Sequence, residues 1–303
     1  MPVEGILPVI PTPFIDGRLD VASLRRFFDH MLPHVDGYTI LGSTGEAPSL
    51  TSTERRAIVE TALSLTPPDK AVIVGVSHTS ASEAAELARH AERCGARGVL
   101  CSVPYYFANS ERGILQYLKR VDDDIGIDLV LYDNPVATKT QLHAEWVVGW
   151  AGELPRLTAV KLTDHDLAKI DVWHAAGLRV LGGDDPILFR YLSAGVDGVI
   201  VIAPCVFPQA FRSVWELIRE GEEEAALRIF SGRILPFIHV FGIGDEIATT
   251  KALLHDIGIF DSDELLPPLT AVGPERRRLL RAAYDLACAG GDSAKTLTGE
   301  RGR

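Results

Sequence analysis

Strand-like and helix-like segments alternate along the first 220 or so residues, and this alternation restricts the fold more than any other feature. Short apolar runs, each followed by a helical pattern, begin at Ile6, Tyr38, Ala71, Gly98, Asp128, Leu157, Arg179 and Gly198. Eight βα units of this length are typical of an α/β fold, the (β/α)8 TIM barrel. A doubly wound sheet is the second choice, because no G-x-G-x-x-G motif follows an early strand.

Beyond residue 220 the sequence shows helical patterns and no further strand pattern. We therefore expect a barrel catalytic domain over residues 1–220 and a C-terminal helical extension over residues 221–289. Residues 290–303 are polar, and we expect them to form a flexible tail.

Composition excludes several classes of partner. The formal net charge is −11, whereas a nucleic-acid-binding surface needs a dense basic face. The four cysteines form no C-x-x-C pair, so they predict small buried side chains in a reducing compartment and not a metal site. No uncharged apolar run is long enough for a membrane span, and the N-terminus lacks a signal-peptide pattern. We expect a cytoplasmic protein that binds neither nucleic acid nor membrane.

In a TIM barrel, catalytic side chains stand at the C-terminal ends of the strands. That rule selects Ser43, Thr44, Tyr105, Tyr106, Tyr132, Lys161, Gly183 and Ile200. Tyr132 and Lys161 end consecutive strands, about 4.8 Å apart in a sheet, so the phenol can stand beside the amine if both point inward. A buried lysine pairs with a carboxylate or loses its proton, and its neutral amine attacks carbonyl carbon. The alternative is a lysine that extends past the strand end to solvent, beside an ordinary half-buried tyrosine.

Two loops at this end of the barrel carry glycines. Residues 42–46, Gly-Ser-Thr-Gly-Glu, offer hydroxyl and N–H groups that can hold a carboxylate, although an ordinary βα turn explains them equally well. Residues 182–185, Gly-Gly-Asp-Asp, occupy the position where many barrels bind phosphate. The two aspartates argue against phosphate, so we expect a helix N-cap and a close approach of backbone to ligand.

At these positions the sequence resembles the dihydrodipicolinate synthase/N-acetylneuraminate lyase family of Schiff-base lyases. The resemblance covers about residues 5–285. It is carried by motifs at Pro8–Phe14 (PVIPTPF), Gly42–Glu46 (GSTGE), Pro104–Tyr106 (PYY), Leu131–Pro135 (LYDNP), Val160–Lys161 and Gly183–Asp185 (GDD).

The resemblance implies a role for each matching residue. Lys161 forms an imine with pyruvate or another 2-oxo acid, and Tyr132 transfers the protons. Ser43 and Tyr106 relay protons to Tyr132, with Tyr106 reaching in from a neighbouring subunit. Ser43 and Thr44 hold the carboxylate of the 2-oxo acid. The family implies a homotetramer built as a dimer of dimers, with no metal and no organic cofactor.

One departure bears on the second substrate. In dihydrodipicolinate synthases an arginine five residues after the tyrosine grips the carboxylate of the aldehyde, and here that position is Ala137. Lys139 lacks the planar fork that makes arginine a bidentate ligand. A 2-keto-3-deoxy sugar acid aldolase fits a small residue best. The alternatives are 4-hydroxy-tetrahydrodipicolinate synthase, a dehydratase using the same imine, a non-catalytic 2-oxo-acid-binding protein, and a phosphate-binding barrel with another chemistry.

Overall fold

A computed structural model of the chain describes residues 2–240 and 245–289. The barrel strands are β1 (Gly5–Ile6), β2 (Gly37–Ile40), β3 (Ala71–Gly75), β4 (Gly98–Ser102), β5 (Asp128–Asp133), β6 (Leu157–Leu162), β7 (Arg179–Gly182) and β8 (Gly198–Val199). They form one parallel sheet in chain order from β2 to β8, and β1 pairs with β8. A bridge between Val9 and Thr39 brings the first strand beside β2, so the barrel nearly closes. The predicted TIM barrel is confirmed.

The strands are buried on both faces, which is why their sequences are continuous apolar runs and not alternating ones. The first strand is shorter than its apolar run because Pro8 has no N–H to donate. The ladder continues past it through the Val9 N–H, which donates to the carbonyl of Val201 at 3.1 Å.

One irregularity sets the register between β5 and β6. Leu129 pairs with Leu157 and Val130 with Ala159, so Thr158 is an extra residue on β6. From there the pairing is regular and places Tyr132 directly opposite Lys161. The two predicted catalytic side chains therefore occupy neighbouring strands at the same level of the sheet.

The helices are α1 (Val21–Met31), α2 (Ser52–Leu65), α3 (Ala81–Arg93), α4 (Glu111–Asp122), α5 (Pro135–Thr138), α6 (Ala144–Ala151), α7 (Ala168–Ala175), α8 (Leu188–Ser193), α9 (Ala203–Val206), α10 (Pro208–Arg219), α11 (Glu223–Ile229), α12 (Leu235–Val240), α13 (Glu246–Asp256) and α14 (Pro274–Ala289). A π-helical turn, Phe230–Ile234, joins α11 to α12. Thr51 and Glu54 form a reciprocal capping box at the start of α2, as their spacing predicts.

The chain divides into two compact units. Residues 1–12 and 31–202 contain β1–β8 and α2–α8, and the site described below lies wholly within this unit. Residues 13–30 and 203–303 contain most of α1, a two-stranded hairpin (Phe14–Ile15 with Arg18–Leu19) and α9–α14. The predicted boundary at residue 220 stays a prediction, and the predicted tail lies outside the described residues.

Two expectations from composition concern the chain as a whole. No helix within the described ranges combines the length and apolarity that crossing a membrane requires. Cys101 and Cys205 are buried and Cys94 is half-buried, but Cys288 is exposed. The expectation that all four cysteines are buried therefore holds for Cys101 and Cys205, is met only in part at Cys94 and is wrong at Cys288, which is exposed on the last helix.

Candidate active site

Lys161 and Tyr132 form the centre of the site. Lys161 is 4% exposed and Tyr132 8% exposed, and the lysine Nζ lies 4.1 Å from the centroid of the tyrosine ring. The lysine therefore does not extend to solvent. No carboxylate in the described ranges forms an ion pair with this amine, and the face of the phenol lies against it.

Gly183 leaves room for the lysine side chain. A Cβ atom at this position would lie 2.7 Å from both Lys161 Cε and Thr163 Cγ2, well inside ordinary contact. In this structure Gly183 lies close to Lys161, whereas the close approach of backbone to a ligand stays a prediction. Asp184 occupies the N-cap position of a short 3₁₀ turn, Asp185–Ile187, but its carboxylate makes no capping hydrogen bond and lies 2.8 Å from His165 Nε2. Asp185 is also used internally, since its Oδ2 accepts the Ile202 N–H at 2.9 Å.

The Tyr132 hydroxyl has a partner that the sequence did not identify. Asn134 Nδ2 donates to this hydroxyl at 2.9 Å, while Asn134 Oδ1 accepts the Ala137 N–H at 3.1 Å. Asn134 thus caps α5 and holds the phenol with the same amide. The signal was present, because an asparagine directly before Pro135 is typical of a helix N-cap.

The turn after β2 supplies uncommitted donors. Its backbone closes through the Gly45 and Glu46 N–H groups, which donate to the carbonyls of Gly42 and Ser43 at 3.1 and 3.0 Å. The N–H groups of Ser43 and Thr44 donate to no acceptor in the described residues. Consecutive free N–H groups in such a turn are suited to an anion.

Strained backbone precedes this turn. Leu41 has a φ of 55°, in the left-handed region that costs a non-glycine residue free energy. Its carbonyl oxygen would lie only 2.0 Å from a Cβ at position 75, so only glycine fits there. Strain of this kind persists where the surrounding structure fixes the backbone, and the residues that follow, Gly42 and Ser43, line the cavity described next.

A cavity of about 210 Å³ opens beside these groups. It is lined by Leu41, Gly42, Ser43, Ala47, Pro48, Gly75, Ser77, Leu100, Ser102, Tyr105, Tyr132, Asn134, Ala137 and Thr138. None of these lining residues carries a formal charge. Four of the predicted site residues, Ser43, Tyr105, Tyr132 and Ala137, therefore share one neutral cavity.

The other predicted site residues do not line this cavity. Thr44 is buried in the turn, and Ile200 is buried at the end of β8, where its N–H donates to the Gly182 carbonyl at 2.9 Å. Tyr106 is 79% exposed and packs edge-on against Phe107, with ring centroids 5.0 Å apart. Within this chain, Tyr106 is not brought to Tyr132.

No group of three or more His, Cys, Asp or Glu side chains among residues 2–240 and 245–289 is placed to hold a metal ion. The polar groups at the cavity are hydroxyls, one side-chain amide and backbone N–H groups. This donor set suits a small organic anion and its carbonyl group.

The chain is similar over nearly its whole length to proteins of one family. A family model described as the dihydrodipicolinate synthetase family matches residues 2–286. A 4-hydroxy-tetrahydrodipicolinate synthase of Methanococcus maripaludis (strain C6) is 28% identical over 285 residues, 93% of this chain and 98% of that protein. A protein of the same name from Methanococcus aeolicus is 31% identical over 229 residues, 75% of this chain and 80% of that protein.

One similar crystal structure contains pyruvate. It is that of YagE, a prophage protein of the dihydrodipicolinic acid synthase family from E. coli K12, in complex with pyruvate. It has a TM-score of 0.88 and 28% sequence identity, and the match covers 94% of this chain and 99% of YagE.

Proposed function

Since the chain belongs to the dihydrodipicolinate synthetase family of Schiff-base lyases, we propose that it makes or breaks a carbon–carbon bond between pyruvate and an aldehyde. One observation carries the proposal: a buried amine, Lys161, lies 4.1 Å from the ring of Tyr132 at the mouth of a barrel. The pyruvate complex of YagE supports the choice of 2-oxo acid.

Imine formation is the first step. The neutral Lys161 amine attacks the keto carbon of pyruvate, and the resulting carbinolamine loses water to give a protonated imine. Tyr132 delivers the proton that converts the departing hydroxyl to water, and Asn134 orients its hydroxyl through the 2.9 Å hydrogen bond.

Carbon–carbon bond formation follows from the imine. The Tyr132 phenolate left by the first step takes a proton from the adjacent methyl group, and the protonated imine accepts the electron pair left behind, which gives an enamine. The enamine carbon attacks the aldehyde, whose oxygen takes a proton, and water then releases the product from Lys161. The same steps in reverse cleave the bond.

The turn after β2 holds the pyruvate carboxylate in this proposal. The free N–H groups of Ser43 and Thr44 and the Ser43 hydroxyl are donors that need no net cation. Ser43 also lines the cavity beside Tyr132, which is consistent with the relay role that the family resemblance gives it.

The relay is completed by Tyr106 of a second subunit in our proposal. Tyr106, Phe107 and Val136 are 79%, 73% and 82% exposed, and large apolar side chains so exposed are typical of a surface that a partner covers. A homodimer that buries these residues, doubled into a tetramer, would be the functional unit.

The names of the relatives favour one second substrate. Both curated relatives described above are 4-hydroxy-tetrahydrodipicolinate synthases, and they support this activity better than the sugar acid aldolase that Ala137 led us to expect. Synthase activity is therefore the first to assay.

A specific observation keeps the aldolase as the second candidate. The cavity has no charged lining residue, Ala137 stands where the family arginine would be, and Lys139 does not line the cavity. A carboxylate on the incoming aldehyde would find no bidentate partner there, which costs a few kcal/mol in typical sites. An aldehyde whose far end carries hydroxyl groups fits a neutral lining without that penalty.

Borohydride trapping tests the central step. Reduction in the presence of pyruvate should add a pyruvyl mass to a single peptide, the one that contains Lys161. The variant Lys161→Arg should give no adduct, and Lys139→Arg, an exposed lysine on the loop after β5, should label as the unaltered chain does. Absence of an adduct with pyruvate and with other 2-oxo acids would refute imine chemistry.

Product assays separate the remaining candidates. Consumption of aspartate semialdehyde with pyruvate indicates the synthase, release of pyruvate from 2-keto-3-deoxy acids indicates the aldolase, and water loss without cleavage indicates the dehydratase. Ala137→Arg should shift preference toward aldehydes that bear a carboxylate. A chain that forms the imine but turns over none of these compounds would be a 2-oxo-acid-binding protein.

A further inference from the structure

A cluster of two buried charges, Lys169 and Asp133, and one half-buried charge, Asp164, lies just behind the site and has no part in the steps above. Lys169 Nζ, on α7, donates to Asp133 Oδ2 at 2.8 Å and to Asp164 Oδ2 at 2.7 Å. Lys169 is 4% exposed and Asp133 is completely buried. The second oxygen of Asp133, Oδ1, is buried and has no hydrogen-bond partner.

The cluster is attached to both catalytic strands. Asp133 directly follows Tyr132 on β5, so its side chain leaves the opposite face of the strand, where α7 supplies Lys169. Asp164 follows β6, three residues after Lys161. The cluster therefore joins the ends of the two strands that carry the phenol and the amine.

Backbone contacts tie the same strand ends together. Asp133 pairs with Leu162 in the sheet, one step beyond the pair Tyr132–Lys161. The Asp133 carbonyl accepts the Thr163 N–H at 3.1 Å and the Thr163 hydroxyl at 2.5 Å. Asp133 is thus held on its carbonyl by β6 and on its carboxylate by α7.

Burying these charged groups costs desolvation free energy that apolar side chains in the same space would not cost. Burial raises the pKa of Asp133 to about 6, and the hydrogen bond from Lys169 only partly offsets this. A carboxylate so poorly solvated adds little stability, and well-packed apolar residues of the same volume often stabilise a protein as much or more. What paired charges provide that apolar residues do not is one fixed geometry.

We propose that Asp133, Lys169 and Asp164 form a clamp that fixes the ends of β5 and β6, and that these three are positioning residues for imine formation between Lys161 and the 2-oxo acid. The inference rests on the proposed function. Reacting groups must be held within about 0.5 Å of their productive geometry, and Tyr132 and Lys161 each lie close in sequence to a member of the clamp. Loosening the clamp lets the phenol and the amine move independently.

The sharpest test compares two asparagine substitutions on one strand. Asp133→Asn removes the carboxylate of the clamp. Asp128→Asn is the matched control at the other end of β5, where Asp128 Oδ1 accepts the Thr158 hydroxyl at 3.0 Å and Oδ2 lies 2.8 Å from Arg97 Nη2. Both variants lose one paired carboxylate, but only one lies beside Tyr132. For each, the rate of borohydride-trapped adduct formation with pyruvate, kcat, KM and the denaturation midpoint are measured.

We expect Asp133→Asn to slow adduct formation and kcat by about 10- to 100-fold, since misplacement by about 1 Å costs this much. Its KM for pyruvate should stay within about twofold, because the turn after β2 is untouched. Asp128→Asn should lower the denaturation midpoint and leave both rates near those of the unaltered chain. If Asp133→Asn does not fold, Asp164→Asn, at the rim of the clamp, is compared with Asp128→Asn in the same way.

Equal adduct rates in the two variants would overturn the clamp while leaving the proposed function intact. No adduct in the unaltered chain would overturn the proposed function itself. A loss of rate that tracks the loss of stability equally in both variants would show that Asp133 is merely structural, and would also overturn the proposal.

Discussion

Replacing Gly183 by alanine should disable the lysine without disturbing the backbone. A methyl group at this position would lie 2.7 Å from Lys161 Cε and 2.9 Å from its Cγ, about 0.7 Å inside the 3.4 Å at which ordinary contact begins. Thr163 Cγ2, also at 2.7 Å, closes the other side. Gly183 does not have a positive φ, so alanine is compatible with the backbone and only the side-chain overlap is tested.

The overlap sets the size of the effect. Relief requires the lysine chain to shift by several tenths of an ångström, and overpacking of this kind costs about 1–3 kcal/mol. A displaced amine also loses its alignment with Tyr132, and a shift approaching 1 Å lowers rates by about 100-fold. We therefore expect Gly183→Ala to reduce the rate of borohydride-trapped adduct formation by about 10- to 100-fold.

Gly149→Ala is the matched control, because Gly149 lies in α6 and a Cβ there meets no atom within 4 Å. This variant should label at the normal rate and gain a little stability, since alanine favours helix by up to about 1 kcal/mol. A Gly183→Ala variant that forms the pyruvate adduct as fast as the Gly149→Ala control would refute the packing argument.

Two further predictions concern the surroundings of the phenol. Asn134→Ser should keep the cap of α5 but lose the amide that donates to Tyr132. We expect kcat to fall about tenfold, because losing one hydrogen bond costs about 1.4 kcal/mol, while the denaturation midpoint stays close to that of the unaltered chain. An unchanged kcat would exclude a role for this hydrogen bond. Burial raises the Asp133 pKa from its usual 3.8 to about 6, so the folded state binds this proton more tightly than the unfolded state and loses stability as the pH rises from about 4 to about 6. Urea denaturation at pH 4 and pH 7 should show Asp133→Asn gaining about 2–3 kcal/mol relative to the unaltered chain over this range, and a constant difference between the two would contradict the assignment.

The fold was predictable because each barrel strand is a local signal. β4 and β6 have the bounds that their apolar runs predict, since a strand buried on both faces must be apolar throughout. The extra residue on β6 was not predictable. Thr158 has no partner because of how β6 pairs with β5, and the residues next to Thr158 in the sequence carry no sign of that pairing. The π-helical turn Phe230–Ile234, which joins α11 to α12, was not predictable from the helical pattern; it lies close to Pro236, which has no N–H to donate to the preceding turn.

The site was predictable where a rule of position applied. Strand ends selected Ser43, Tyr132 and Lys161, and the structure brings Ser43 to the same cavity as Tyr132. The failures involve partners distant in sequence. Asp184 stands at the predicted N-cap position, but its carboxylate pairs with His165, nineteen residues earlier, and does not cap the turn. Asp133 and Lys169 were not identified because a buried pair is defined by packing between a strand and a helix, which sequence spacing does not encode.

The extra residue at Thr158 has a consequence for how this barrel can change over time. Side chains on a strand alternate between the lumen and the helical layer, so the count of residues before Lys161 decides which side receives the amine. Deleting or inserting one residue ahead of it would turn the amine outward and put Leu162 in the lumen. Substitutions in this strand ahead of Lys161 therefore leave the direction of the amine unchanged, whereas insertions and deletions of single residues are compatible with it only in the loops.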